Sequence, residues 1–241
     1  MMRAILSDRA AEALLAGEFQ HSTHTPSAAP LHRRVPLDLM NVAISRETGT
    51  HEHEIASLVA RQLGWQLYDH ELVERIAARM HVSVTQLDPL DEHCAHWLQE
   101  TVAMMSTVPI VRESQFVRNL VETTLELGNT GHCVFIGRGA AWILPPESTL
   151  RVALMAPLDH RIHVVMREMH VKAHEAAAII EERDRQHARF AKAHFCTNDV
   201  DLHTFDLVLN TARLSMHDCA ELICTAVRDR ASSLEQQMEM A

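Results

Sequence analysis

Short apolar runs alternate with longer amphipathic stretches through most of this chain. The apolar runs predict strands at residues 42–45, 65–68, 132–136, 150–155 and 205–210. Between them, apolar residues recur three and four positions apart, which predicts helices at residues 54–63, 69–80, 83–87, 91–105, 112–127, 159–170, 172–192 and 216–229.

Strands that alternate with helices in this way predict an α/β fold. The expected architecture is one parallel sheet of about five strands with helices on both faces. Because crossovers between parallel strands are right-handed, the turns that follow the strands meet at one edge of the sheet. The turns at Gly49, Asp69, Gly137 and Pro157 and the segment after Asn210 should therefore lie together, and we expect the functional site there.

The same pattern sets the expected domain boundaries. Residues 1–36, with a short helix at 7–17 and a proline-containing linker at 21–36, should form a flexible N-terminal extension. Residues 37–230 should form the α/β domain, followed by a tail at 231–241. The helices at about 81–128 are expected to form an insert. This insert would serve the acceptor side of the site or bind a partner, either a second copy or another protein.

Composition narrows the classes of function. The 241 residues carry a formal net charge of −10, which argues against general binding to nucleic acid because no basic surface field is available. No run of about 18 apolar residues is present, so no membrane span is expected. The five cysteines are scattered without a disulfide framework, which predicts a reducing, cytoplasmic location.

The turn from Gly49 to Glu54 is the first candidate site. It connects a predicted strand to the start of a helix, where backbone amides and the helix dipole favour a bound phosphate. Its side chains disfavour one, because a side chain at position 51 or 52 strains any positive φ and blocks close approach, and Glu52 adds a negative charge. The alternative is an ordinary strand-to-helix turn with solvated His51 and Glu52.

A second candidate, Gly137-Arg138-Gly139, directly follows a predicted strand. The guanidinium of Arg138 suits a phosphate because its donors form a planar fork. The alternative is a tight turn whose arginine is a surface charge. Asp69, at the end of the second strand, is either a carboxylate of the site or the N-cap of the next helix, and the two roles are compatible.

The helix at 172–192 carries Arg185 and Arg189 on one expected face. These arginines would cover bound phosphates and exclude water, or they form ion pairs with neighbouring glutamates on a solvated helix. Arg161 either reaches a bound phosphate or lies on a helix surface.

The order of these segments resembles the cytidylate kinase-like family of P-loop nucleotide kinases over residues 42–227. The matching segments are Ile44-Ser45-Arg46-Glu47 with Gly49, Glu54-Ile55-Ala56, Leu67-Tyr68-Asp69, Val134 to Ala140, Ala156-Pro157 with Arg161, Asp184, and Phe205 to Thr211. The resemblance implies a P-loop NTPase-like, three-layer α/β/α fold. It also implies phosphoryl transfer from ATP, with Mg²⁺, to a nucleoside monophosphate.

The resemblance further implies roles for particular residues. Arg138, Arg185 and Arg189 would be catalytic. ATP would be bound by Arg46, Gly49, Thr50, His51, Glu52, His53, Glu54 and Arg161, and the acceptor nucleotide by Asp69, Gly137, Arg138 and Gly139. The chain departs from the family pattern at His51 and Glu52, where the family has glycine, and at His187, where it has arginine. These departures predict weak or lost kinase activity.

Two other functions stay open. A non-catalytic module on the same fold would sense a nucleotide or bind another protein. A histidine-rich metal-binding protein is suggested by the 18 histidines, with His93, Cys94 and His96 as one cluster and His51 with His53 as a weaker pair. No second cluster with ligand spacing accompanies these residues, so we expect no metal site.

Overall fold

The apolar runs form one five-stranded parallel sheet. The computed structural model describes residues 39–87, 113–195 and 202–232. Its strands are β1 (Asn41–Arg46), β2 (Gln66–Tyr68), β3 (Cys133–Ile136), β4 (Thr149–Met155) and β5 (Leu207–Asn210). Their order across the sheet is β2-β3-β1-β4-β5, and every pairing is parallel. The predicted parallel sheet of about five strands is confirmed.

Helices connect these strands. They are α1 (Glu52–Leu63), α2 (His70–Met80), α3 (Val84–Leu87), α4 (Glu113–Thr130), α5 (Ala140–Ile143), α6 (Leu158–Met169), α7 (Ala173–Phe195) and α8 (Met216–Ser232). Two short 3-10 turns lie at Pro146–Ser148 and Leu202–Thr204. The sequence pattern predicts the short helix α3 but not α5, which directly follows the Gly137-Arg138-Gly139 turn.

The centre of the sheet is β1, between β3 and β4. Val42 pairs with Val134 of β3 and with Leu150 of β4. The first four residues of β1 are buried, as expected of a parallel strand that is covered on both faces. The turn after β1 therefore lies at the middle of the carboxyl edge of the sheet, beside the turns that follow β3 and β4.

Two apolar layers cover the sheet. On one face, Ala43 shares a buried cluster with residues of α2 and α4, including Leu120. On the other face, Val42 and Ile44 share a cluster with residues of α1 and α8, including Ile55. Alternate residues of β1 thus point to opposite layers, which gives the three-layer α/β/α architecture.

The described part of the expected helical insert consists of α3 and α4. The apolar side of α4, with Phe116, Leu120 and Val121, is buried in the core beside α2, so this helix is part of the layer that covers the sheet. The remaining insert at 88–112, with the predicted helix at 91–105, lies outside the described residues. The same holds for the extension at 1–36 and for residues 233–241.

No helix in the described parts of the chain combines the length and the apolar character needed to cross a membrane.

The burial of α4 gives a stability test. Leu120→Ala should lower the free energy of unfolding by about 2–5 kcal/mol, because the side chain is fully enclosed and its truncation leaves a cavity. Leu222→Ala on α8 makes the same change at a residue that is 45% exposed and should cost about 0.5 kcal/mol or less. Urea unfolding followed by circular dichroism measures both values. Equal losses would contradict the packing of α4 in the core.

Candidate functional site

The turn between β1 and α1 contains two left-handed residues. Gly49 has φ +84°, and a Cβ there would lie 3.0 Å from the carbonyl oxygen of Arg161 and 3.1 Å from Val165 Cγ2. His51, the N-cap residue of α1, has φ 56° and makes no side-chain capping hydrogen bond. A non-glycine residue in this conformation costs about 1–2 kcal/mol. The expectation that a side chain in this turn strains a positive φ is confirmed at His51.

Arg161 of α6 and Asp184 of α7 hold this turn in place. The Thr48 amide donates to Asp184 Oδ1 at 2.9 Å, and Arg161 Nη1 donates to Asp184 Oδ2 at 2.6 Å. Arg161 also donates to the carbonyl oxygens of Thr48 and Ala156, at 3.3 and 3.1 Å. Because Arg161 is buried, its assignment to a helix surface is wrong. The Asp184 carboxylate accepts from an amide of the turn, as a phosphate oxygen would.

Other polar groups of the turn also bond within the protein. Thr50 is fully buried, and its hydroxyl donates to the carbonyl oxygen of Glu47 at 2.8 Å. The Glu47 carboxylate accepts from the Ala156 amide at 3.0 Å and lies 3.6 Å from Arg161 Nε. The predicted nucleotide-binding residue Thr50 therefore has a structural role in closing the turn.

Acidic groups surround the start of α1. Glu52 and Glu54 lie in its first turn, and His51 Nδ1 is 3.3 Å from Glu168 Oε1 on α6. Burial, together with the nearby Glu54 carboxylate, raises the pKa of Glu168. Carboxylates at a helix N-terminus satisfy the dipole that would otherwise attract a phosphate. His53 contacts a different carboxylate from His51: its Nδ1 lies 3.2 Å from Asp69 Oδ2.

Asp69 lies at the N-cap position of α2, but its side chain makes no capping hydrogen bond. The N-cap interpretation of this side chain is therefore wrong. Arg138 Nη1 donates to both the carbonyl oxygen and Oδ1 of Asp69, at 2.9 and 3.0 Å. Burial raises the pKa of Asp69, but the Arg138 charge and the hydrogen bonds from Arg138 and His53 outweigh it and hold that pKa below its usual value.

Arg138 is the largest fully buried side chain among the described residues and is 2% exposed. The interpretation of this arginine as a surface charge is therefore wrong. Its φ is 48°, between the positive φ values of Gly137 (62°) and Gly139 (75°). A Cβ on Gly139 would overlap the ring of Phe195 on α7, so this glycine permits the close approach of α7. The Gly137 amide donates to Ile44 of β1 at 2.9 Å, which ties the triplet to the central strand.

A cavity of about 280 Å³ lies between these two turns and α7. This volume is close to the lower end of pockets that hold small ligands. Its walls combine charged or polar side chains with aromatic rings: Arg46, Glu47, Arg138, Asp184, His187, Trp142, Phe190 and Phe205. The positive charges of Arg46 and Arg138 are formally balanced by the carboxylates of Glu47 and Asp184.

The face of α7 that lines the cavity is not the one that carries Arg185 and Arg189, so these arginines match the alternative of a solvated helix surface. Asp184, His187, Ala188 and Ala191 line it. Arg185 instead pairs with Glu181 and Glu182 at 2.8 and 2.6 Å on the exposed side of the helix, and Arg189 is exposed as well. Spacing correctly places two arginines on one helical face, but spacing alone does not show which face points inward.

The structure brings together part of the predicted site. Among the cavity-lining residues are the predicted residues Arg46, Gly137, Arg138 and Gly139. Sequence reasoning missed the Asp184 contact with the turn and the aromatic walls formed by Trp142, Phe190 and Phe205. The aromatic residues are visible in the sequence, but their convergence depends on contacts between distant segments.

This architecture defines a P-loop NTPase-like α/β protein: a parallel sheet with β1 at its centre, helices on both faces and a strand-turn-helix unit after β1. Residues 41–213 match the sequence profile of the Cytidylate kinase-like family. The match covers more than half of the chain, and the protein belongs to that family.

Individual relatives agree with this assignment. The chain is 24% identical over 185 residues to the cytidylate kinase of Sulfolobus acidocaldarius, covering 76% of this chain and 92% of the relative. It is 26% identical over 182 residues to the cytidylate kinase of Pyrobaculum aerophilum, covering 75% and 89%. An uncharacterized protein from Eubacterium ventriosum ATCC 27560 has a similar crystal structure, with a TM-score of 0.61, 17% identity, and coverage of 79% of this chain and 99% of that chain. This last similarity supports the fold alone.

The lowered pKa of Asp69 gives a pH test. Its stabilising contribution is fully present above the pKa of an unfolded aspartate, about 3.9, and is lost as pH falls through the lower folded-state pKa. At pH 7, Asp69→Asn should lower the free energy of unfolding by about 1.5–3 kcal/mol, the range for a hydrogen bond to a charged group. Urea unfolding between pH 7 and 3 should show this difference shrinking below about pH 4. A difference that stays constant across this range would argue against the Asp69–Arg138 pair.

Two adjacent residues of α7 should differ in their effect on stability. Asp184→Asn weakens the ion pair with buried Arg161 and the bond from Thr48, and should cost about 1.5–3 kcal/mol. Arg185→Ala removes solvent-exposed ion pairs and should cost less than about 1 kcal/mol. Urea unfolding at neutral pH compares the two. A larger loss for Arg185→Ala would show that the outward face of α7 is the important one.

Proposed function

We propose that this protein binds a nucleoside monophosphate in the cavity beside Arg138 and that its transfer of a phosphoryl group from ATP is strongly impaired. The main support for this proposal is the contrast in charge between the turn after β1 and the turn after β3. Arg46 and Arg138 line the cavity, whereas carboxylates surround the turn from Gly49 to Glu54. The names of the Sulfolobus acidocaldarius and Pyrobaculum aerophilum relatives suggest cytidylate as the first monophosphate to test.

The proposed binding of the nucleoside monophosphate, which is the phosphoryl acceptor, rests on the position of Arg138. Its guanidinium is fixed in orientation by two bonds to Asp69 and borders the cavity. A guanidinium held in this way offers donors to a phosphate without the cost of ordering a free side chain. The aromatic rings of Trp142, Phe190 and Phe205 on the other walls are suited to pack against a nucleobase.

ATP and Mg²⁺, which the family resemblance implies, do not fit the turn after β1. The Thr48 amide donates to Asp184, and the His51 side chain stands where a bare backbone would be needed. At about 4 Å and an effective dielectric constant of about 20, one carboxylate such as that of Glu52 repels a unit phosphate charge by about 4 kcal/mol. We therefore assign no catalytic step to ATP at this turn. The catalytic roles predicted for Arg185 and Arg189 also lack support, because both face solvent.

A non-catalytic module that senses a nucleotide is the second candidate. It is favoured by Asp184, which accepts from the turn amide and from Arg161 and so supplies internally the negative charge that a phosphate would bring.

We also infer a reducing, cytoplasmic location, in keeping with the free, buried Cys133, Cys219 and Cys224. A protein partner or second copy bound through the helical insert is a further proposal.

Reversal of the altered turn tests the impairment directly. His51→Gly combined with Glu52→Gly relieves the strained φ and removes one carboxylate, so the affinity for ATP–Mg²⁺ should rise at least about tenfold, and at most about a thousandfold. Calorimetry with ATP–Mg²⁺, and ADP release in the presence of CMP, measure affinity and turnover. His81→Gly is the matched control, because His81 has the same φ of 56° at the end of α2, away from this turn.

Three results separate the candidates. Binding of CMP by the wild type with slow ADP release, and faster release by the double variant, supports an impaired kinase. Binding of CMP without turnover in either protein supports the sensing module. Fast ADP release by the wild type, or CMP affinity unaffected by Arg138→Met, contradicts the proposal.

A further inference from the structure

We propose that His51, Glu54 and Glu168 form a binding site for a divalent transition-metal ion at the start of α1. One imidazole and two carboxylates from two separate helical segments offer ligand atoms that all lie within 4.8 Å of one another. The site shares His51 and Glu54 with the turn discussed above, but it involves none of the cavity residues and is tested with metal alone, so its failure and that of the proposed function are distinguishable. It also departs from the sequence-based expectation that no metal site is present.

The distances require little rearrangement. Two ligands that bind one ion at about 2.0–2.1 Å with tetrahedral angles lie about 3.3 Å apart. His51 Nδ1 and Glu168 Oε1 already have this separation, 3.3 Å. The Glu54 ligand atom lies within 4.8 Å of the other two and must move closer by up to about 1.5 Å for tetrahedral geometry, which a rotation of its exposed side chain can supply.

The local charge favours a cation. Glu52 and Glu54 lie in the first turn of α1, and Glu168 of α6 contacts the N-cap residue His51, so three carboxylates lie at the start of α1. The positive end of the α1 dipole accommodates part of this negative charge. An ion between Glu54 and Glu168 would relieve their mutual repulsion.

The donor set indicates which ions to expect. Carboxylates suit Mn²⁺ and Mg²⁺, and imidazole suits Zn²⁺, Ni²⁺ and Fe²⁺, so the mixed set selects first-row transition ions over Mg²⁺. Mn²⁺ is the sharpest probe, because thiolates and scattered histidines elsewhere in the chain bind it weakly. Its free concentration is counted directly from its electron paramagnetic resonance signal.

Titration of the full chain with Mn²⁺ should show one ion bound per chain with a Kd below about 1 mM. Loss of a ligand in His51→Gly or in Glu168→Gln should weaken this binding at least about tenfold. His51→Gly also relieves the positive φ, so this variant should unfold at a higher temperature than the wild type while losing the stabilisation by Mn²⁺. That combination separates a lost ligand from a damaged fold.

Matched substitutions away from the cluster serve as controls. His81→Gly relieves the same backbone strain, and Glu221→Gln removes an exposed carboxylate from α8; both should bind Mn²⁺ as the wild type does. The proposal is overturned if the wild type binds no Mn²⁺ below about 1 mM. Unchanged binding in either His51→Gly or Glu168→Gln overturns it as well.

Discussion

The ion pair between Arg161 and Asp184 is the interaction on which the carboxyl edge of the sheet depends. Arg161 is buried, so its charge requires a partner, and the Asp184 carboxylate at 2.6 Å supplies one while also accepting from the Thr48 amide. A single pair therefore joins α6, α7 and the turn after β1. Phe195 of α7 packs against Gly139, so the pair that anchors α7 also helps to position the wall that this helix gives the cavity.

The interactions that stabilise this edge also determine which ligands it can accept. At the turn after β1, the positive end of the α1 dipole is met by the protein's own carboxylates, at Glu52, Glu54 and Glu168. At the neighbouring turn after β3, the buried guanidinium of Arg138 pairs with the Asp69 carboxylate and borders the cavity. The fold of this family is thus combined with acidic groups at the first turn and a buried arginine at the second. Under the proposed function, this charge distribution disfavours a phosphate at the first turn more than at the second.

Sequence patterns predict those features of the structure that depend on residues close together in the chain. The strand β1 and the turn at Gly49 follow from local periodicity and a single glycine, and both are found as expected. The Asp184 bond to Thr48 spans 136 residues, so no local pattern reveals that this carboxylate occupies the turn. The sequence left the inward face of α7 open for a related reason: charged residues recur on every face of this helix, and packing against the rest of the protein decides which face is buried.

The histidines with a left-handed backbone fall into two groups, which differ in their place on a helix. Five described residues other than glycine have a positive φ, and four of them are histidines: His51, His81, His132 and His170. Histidine is one of the residues that adopt the left-handed conformation most readily. His81 and His170 do so at the C-terminal ends of α2 and α6, where a left-handed residue commonly ends a helix. His51 differs, because it begins a helix, where extended backbone is the norm. Capping does not explain its conformation, whereas its contact with Glu168 gives the ring a specific use.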